Sequence, residues 1–560
     1  MQRTLRITAA LGLVAGLSVT AAGGAAAPSF RNVIVLVVDG CGSTPTTVAR
    51  WVKGAPLALD RMHLAGVRTY GAESIITDSA PAATAFACGH KTSDKFIGML
   101  PDAVTIPGVP PSTPATRGRP VASVLEGAKL SGRATGIVAT SQVQHATPAA
   151  FTAHTPRRSA YDEIAEQQVH LGIDVVLGGG RRYLLPPSAG GTRADGDDLV
   201  AVLRARGTTV VETREAMLAA AGPRLWGAFA RDDMAHELDR PTAAPDQPSL
   251  AEMTRKAIEV LAANPRGFFL MVEGSKADWA AHAHDPAGVV GDVLAFDAAV
   301  GVALDFAGTR GDTLVLAFAD HATGGMSLGS HATDRTYAKL PAVAVVAPLK
   351  AATITAEGVA RLLAGPRDEA AIRVALARYG VADPTPEELA AVQDAADTDV
   401  AEVAGPMLSK RSAIGWTTSG HTGEDLFLYH HGLDRPLGML ENTGIAHLCA
   451  AALGFDLAEV TDRLFQPAAE AFAAAGATLT VDASDPANKV LVARRGGLAL
   501  EIPVSTSVMT VRTAEGRAER RQLDGVVVHN PLTDAYFVPR SALAPLLPAA
   551  PPPPSTDPHH

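Results

Sequence analysis

Asp278 and His282 stand four residues apart, a spacing that puts both side chains on one helical face where they can grip a single cation. Alone, such a pair is more often a surface hydrogen bond. In this chain it follows Glu273, which ends the apolar run Phe268 to Val272, and that placement favours a metal. Asp320-His321 ends a second apolar run, Leu314 to Ala319, and Asp39 ends a third, Val33 to Val38. His421 lies in Ser419-Gly420-His421-Thr422-Gly423. Carboxylate and imidazole suit zinc, whereas the oxygens of Asp39, Thr147 and Glu273 suit magnesium. Asp78-Ser79-Ala80-Pro81 precedes good helix formers, with proline in the first turn, so Ser79 is expected at a helix N-terminus. Serines there usually cap the helix. The same place suits a nucleophile, because free amides and the positive helix end stabilise an alkoxide and an incoming phosphate. A serine hydroxyl is too weak an acid to ionise alone near neutrality, so a Lewis acid or adjacent base must activate it.

The runs that carry these residues determine the fold expected. From Phe30 to about Gly476, strand-like apolar runs alternate with Ala-rich helical stretches, the pattern of an α/β fold with a large central, mostly parallel sheet flanked by helices. In such sheets ligands sit outside the carboxyl ends of the strands, where Asp39, His145 with Thr147, Glu273, and Asp320 with His321 fall. The Pro-, Thr- and Gly-rich residues 101–119 read as a surface loop. Residues 356–405 read as a helical insertion that shapes or covers the pocket mouth; Thr385-Pro386-Glu387-Glu388 has the order of a helix start. After Glu470, short β-like runs broken by Asp, Gly, Asn and Pro indicate a small C-terminal all-β domain. The expected division is 1–27 signal peptide, 28–470 catalytic domain, 471–545 β domain and 546–560 disordered Pro-rich tail.

With 560 residues and 47% hydrophobic content the chain can bury a large core. A formal charge of -10 and the lack of any long Lys/Arg run argue against a nucleic-acid scaffold. Arg3 and Arg6, an apolar stretch from Ile7 to about Thr20 and a small-residue run to Ala27 read as a secretory signal, hence a periplasmic or secreted protein. That stretch is shorter than the ~20 residues of a membrane span, and no later one reaches spanning length free of charges. Cys41, Cys88 and Cys449 leave both a Cys41 to Cys88 bridge and buried thiols open.

Together the clusters resemble the alkaline phosphatase family. The matching strings are Val38-Asp39-Gly40, Thr77-Asp78-Ser79-Ala80, His145-Ala146-Thr147-Pro148 followed by His154 and Arg158, Val272-Glu273-Gly274 with Asp278 and His282, Ala319-Asp320-His321, and Gly420-His421-Thr422-Gly423. They fall in family order across most of residues 30–450, and six motifs in one order are far more specific than any single one. The resemblance implies an alkaline-phosphatase-like fold and hydrolysis of small-molecule phosphate monoesters. It also implies two zinc ions and one magnesium: Asp278, His282 and His421 on one zinc; Asp39, Ser79, Asp320 and His321 on the other; Asp39, Thr147 and Glu273 on the magnesium. It makes Ser79 the nucleophile, forming a phosphoserine, and Arg158 the clamp on two phosphate oxygens. A homodimer is common in the family.

Two positions depart from the commonest bacterial pattern. His145 stands where many members have an aspartate near the magnesium, and Trp279 where they have a lysine near phosphate. An imidazole is a poorer partner for magnesium than for zinc or cobalt, so the third metal is open among these. His284, Asp285, His430 and His431 read as solvent-facing or core residues, and His154 as shaping the arginine loop. A sulfatase is disfavoured because Ser79-Ala80-Pro81-Ala82-Ala83 lacks the arginine its motif needs, and a diesterase because it gains less from a two-pronged Arg158. A non-catalytic exported binding protein would have lost ligands, and here every family metal position is filled.

Overall fold

The computed structural model describes residues 30–365 and 367–547. The export signal and nearly all of the Pro-rich tail expected from the sequence lie outside the described residues. Ten strands form the central sheet: β1 Asn32–Val38, β2 His63–Arg68, β3 Ala134–Gln142, β4 Val175–Gly179, β5 Thr209–Val211, β6 Leu225–Ala228, β7 Phe268–Gly274, β8 Thr313–Phe318, β9 Leu426–His431 and β10 Met439–Glu441. Their spatial order is β10-β2-β9-β8-β1-β7-β3-β4-β6-β5. Only β9 runs against the rest. Every residue of β1, β7 and β8 is buried, as befits strands covered on both faces, which therefore read as continuous apolar runs. Burial of each such Val, Leu, Ile or Phe side chain contributes ~1.5–3 kcal/mol.

Four helices bear on the site: α1 Ser79–Cys88, α2 Ala146–Ala150, α3 Lys276–His282 and α4 Pro286–Gly308. All of α1 is buried, which explains its Ala-rich, nearly non-amphipathic sequence. Among the described residues, two helical stretches, Pro286–Gly308 and Ala342–Leu362, are long and apolar enough to cross a membrane. The first packs against β1, β7 and β8, and its buried acids are paired, Asp297 with Lys53 at 2.7 Å and Asp292 with His236. Burial on the sheet accounts for its apolar character.

Residues 356–405 contain Ala356–Leu362, Glu369–Arg378, Pro386–Asp394 and the start of Val400–Arg411, all helices. They lie behind α3 and α4, with the Ala356 amide and the Tyr379 hydroxyl both donating to Asp285. None of them walls the cleft at His282 and His421; Glu357 of the first helix reaches Lys276 at the start of α3.

The C-terminal region has its own apolar cluster, built on Phe472, Leu491, Leu500, Ile502 and Met509. Its antiparallel sheet comprises β11 Thr478–Asp482, β12 Val490–Arg495, β13 Leu498–Pro503, β14 Val508–Thr513 and β15 Ala518–Gln522, in that spatial order. Sequence reasoning missed β15. Its Glu519, Arg520 and Arg521 show no apolar alternation, because an exposed edge strand is protected from further pairing by charge and not by burial. Cys41, Cys88 and Cys449 are all free and buried, and burial pushes the Cys41 and Cys449 thiols up to about 12.

Candidate active site

β8, β1, β7 and β3 are neighbours and parallel, so their carboxyl ends open on one side of the sheet. Asp39 follows β1, Asp320 and His321 follow β8, Glu273 is near the end of β7, and His145 and Thr147 follow β3. The strand pairing Ala322–Thr323 with His421–Thr422, in register His421 to Thr323, carries His421 to the same place from a hundred residues away. Three overlapping trios bring one ligand atom each within 4.8 Å: Asp39, Asp320 and His321; Asp39, His145 and Glu273; Asp278, His321 and His421. His282 belongs to none of these trios, yet its Nε2 lies 3.3 Å from Asp278 Oδ2.

Neighbouring groups aim these ligands. The Nδ1 of His282 donates to the Ser419 carbonyl and that of His421 to the Thr77 carbonyl, at 2.5 and 2.9 Å. Since a carbonyl only accepts, each ring keeps its proton there and turns Nε2 toward Asp278. Burial works against a charged His282, but Asp278 outweighs it and holds the ring up at about 9, so proton and cation compete for one nitrogen. Burial likewise opposes ionised Asp278, and His282, His321 and His421 hold it well below the usual carboxylate range. Thr323 Oγ1 adds a hydrogen bond to Asp278. Asp320 Oδ1 accepts from the amides of Gly40 and His321 at 3.1 and 3.0 Å. Gly40 has φ +69, and a Cβ there would meet Asp278 Oδ1 at 2.6 Å, so no larger residue fits this close approach.

Both oxygens of Asp39, Oδ2 of Asp320, Oε1 of Glu273, Oγ1 of Thr147 and Nδ1 of His145 are buried without a hydrogen-bond partner. Burial, then repulsion from Asp320, Asp278 and Glu273, raises Asp39 far above an ordinary carboxyl. Burial pushes Glu273 up to about 7 despite hydrogen bonds from Ser275 at 2.8 Å and Ser141 at 3.4 Å. Carboxylates so crowded and dry need cationic partners to ionise together. Oxygen and imidazole donors around orphaned lone pairs fit divalent cations.

Ser79 is the first residue of α1, after Asp78 as N-cap, and its Oγ lies 3.1 Å from His321 Nε2. The Arg158 guanidinium reaches both oxygens of Asp78 at 2.7 Å, and its Nη2 donates to His145 Nε2 at 2.8 Å. Burial, then the adjacent Arg158, pushes His145 down to about 3, so the ring stays neutral; its one lone pair, on Nε2, accepts from Arg158, and Nδ1 carries the proton. Trp279 meets the His145 ring edge to face at 5.7 Å between centroids. A cleft of about 520 Å³ opens here, walled by Gly71 to Ser74, Thr77, Asp78, Asp94, His282 and His421.

Every site residue expected from the sequence reaches this region. Sequence reasoning missed the roles of Asp78 as holder of Arg158, of Ser141 and Ser275 on Glu273, and of Thr323 on Asp278. Asp78 was within a motif and adjacent to Ser79; the others carried no local signal. His154 is spent on Gly98 and Glu126, His284 stacks on Trp416 and donates to the Thr418 carbonyl, and Asp285 caps α4; none of them belongs to the three trios.

The alkaline phosphatase family model matches residues 30–455. Alkaline phosphatase 4 of Bacillus subtilis is 35% identical over 441 residues, covering 75% of this chain and 88% of that protein. The repressible alkaline phosphatase of Saccharomyces cerevisiae is 33% identical, covering 77% and 83%. The crystal structure of Thermus thermophilus alkaline phosphatase superposes with a TM-score of 0.69 at 30% identity, covering 77% of this chain and 93% of that one. The cold-active enzyme of a psychrophilic Shewanella gives 0.64 at 28% identity, with 75% and 99% covered. Family model, relatives and fold agree with a metal-binding cluster beside a helix-starting serine: the chain belongs to the alkaline phosphatase family and is a phosphoric monoester hydrolase.

Proposed function

We propose that phosphate monoesters are hydrolysed here through a phosphoserine on Ser79, at a site for two zinc ions and one magnesium. The observation that carries this reading is the gathering of Asp39 and Asp320 around His321 Nε2, at 3.4 and 3.3 Å, with the same nitrogen 3.1 Å from Ser79 Oγ at the start of a buried helix. Asp278, His282 and His421 hold one zinc; Asp39, Asp320, His321 and Ser79 hold the other; Asp39, Thr147 and Glu273 hold the magnesium. His145 beside the third position is the reason that zinc or cobalt competes there. When bound, these ions lower the pKa of the serine and offset charge on phosphate and leaving group.

The chain's own groups then account for the rest. Ser79 Oγ, held by the helix start, forms a bond to phosphorus as the ester P–O bond breaks, and the leaving alkoxide ends as the protonated alcohol. The free amides of α1 and the Arg158 fork hold the non-bridging oxygens through the displacement. Asp78 keeps that fork in place. Water then attacks phosphorus, the Ser79 P–O bond breaks, and inorganic phosphate leaves. An exported homodimer is proposed as well, supported by the N-terminal leader and by family habit.

Metal content of the purified full chain, measured with p-nitrophenyl phosphate and bis-p-nitrophenyl phosphate turnover in one assay, tests the reading. Zinc-bearing protein that strongly favours the monoester supports it. Metal-free, inactive protein at full zinc supply points to a binding protein, and faster diester turnover to a diesterase.

A further inference from the structure

We infer that Lys276 is a positioning residue for the phosphate clamp, acting from beneath through Trp279 and His145 on Arg158. The inference deepens the proposed phosphomonoesterase reading and rests on it.

Lys276 is the first residue of α3 and is 1% exposed, an expensive place for an ammonium unless every donor is used. All of them are. Its Nζ reaches Asp233 Oδ2 at 2.5 Å and Glu357 Oε2 at 3.2 Å, and lies 4.1 Å from the centre of the Trp279 indole. Two carboxylates and a ring face exhaust its three N–H groups. The position of the ammonium is in turn imposed from outside α3. Glu357 belongs to the Ala356–Leu362 helix and also holds His236 Nε2 at 3.1 Å, while His236 Nδ1 is bonded to Asp292 of α4.

The indole is also set against His145, at 79° between ring planes. His145 Nε2 accepts from Arg158 Nη2 at 2.8 Å. An unbroken series of contacts thus runs from the helical insertion through Lys276, Trp279 and His145 to the guanidinium. A planar fork binds two phosphate oxygens only in one orientation, so a loosened indole costs phosphate affinity before it costs chemistry.

The test uses the full-length, metal-loaded enzyme and its competitive inhibition by inorganic phosphate. Lys276→Met is expected to raise the phosphate Ki and the p-nitrophenyl phosphate KM about three- to tenfold, with kcat within about twofold. Lys276→Arg, which keeps the cation over the ring, restores both to within about twofold of wild type. In a Trp279→Ala background, Lys276→Met adds less than about twofold, since the contact is already gone. Wild-type phosphate inhibition in Lys276→Met, or an equal loss in both backgrounds, overturns the inference. Should Lys276→Met not fold, Glu357→Gln at the half-exposed end of the series must raise the phosphate Ki about twofold, and an unchanged Ki there overturns it instead. Turnover and metal content of the unmutated chain test the phosphomonoesterase reading separately; only differences among variants bear on Lys276.

Discussion

The central sheet and the C-terminal sheet handle charge in opposite ways. At the ends of β8, β1 and β7, Asp320, Asp39 and Glu273 are fully buried, close to one another and left with orphaned oxygens. On β13 and β14, Glu501 and Arg512 pair at 2.7 Å in open solvent, while Leu491, Leu500, Ile502 and Met509 fill the inner face. Parallel strands covered on both faces have no polar face, so polar side chains gather at their ends in low dielectric. Antiparallel strands with one wet face place them anywhere outward at little cost. Unbalanced charge marks where binding energy is available, and balanced, hydrated charge marks surface.

The sharpest way to break that contrast is Ser79→Ala. It should lower kcat by at least ~10³-fold and abolish the acid-stable phosphoenzyme, measured by turnover and by trapping with labelled substrate. Retained phosphoenzyme would move the nucleophile elsewhere and leave the strand-end cluster a metal store.

Gly40→Ala comes next. Its Cβ would press on Asp278 Oδ1 at 2.6 Å and on the Asp278 Cα at 2.7 Å. It should lower kcat/KM ~10²-fold and stability by about 1–3 kcal/mol, read by kinetics and urea unfolding. A silent variant would mean that the cluster tolerates slack.

His236 tests whether buried charge away from the metals also matters. Burial and Lys276 oppose its charged form, yet Asp292 and Glu357 prevail and hold the ring up at about 9. Because the folded value is raised, its contribution is complete below about 6.5 and fades as pH rises through about 9. His236→Gln should therefore remove up to about 3 kcal/mol at pH 6 and flatten the fall in stability from pH 6.5 to 9, measured by denaturant titration. Parallel curves for both proteins would assign that slope to other groups.

Smallest of all, Arg512→Ala should leave both melting temperature and turnover within error of the wild type, as exposed pairs do. A clear loss of turnover would show that the C-terminal sheet is coupled to catalysis.

Much of the site was legible because its residues are locally marked. Asp278 and His282 share a helical spacing, Ser79 starts a helix with Pro81 in its first turn, and Asp39, Glu273 and Asp320 each end an apolar run. Lys276 was illegible as a support, since Asp233 and Glu357 lie 43 and 81 residues from it and the ring it underlies is decided only by packing. β15 was missed for a related reason: its charged sequence records exposure, and its pairing with β14 is backbone hydrogen bonding that no side-chain pattern encodes.

The residue order by itself determined the strand ends, the helix start at Ser79, the ligand types and the change of texture after Glu470, because period and capping are local properties of the chain. Tertiary structure alone decided that β8, β1, β7 and β3 lie side by side, that His421 pairs back to Thr323, and that Asp78 holds Arg158. Those depend on strand order and on contacts between distant residues, which are settled by burying the whole sheet at once.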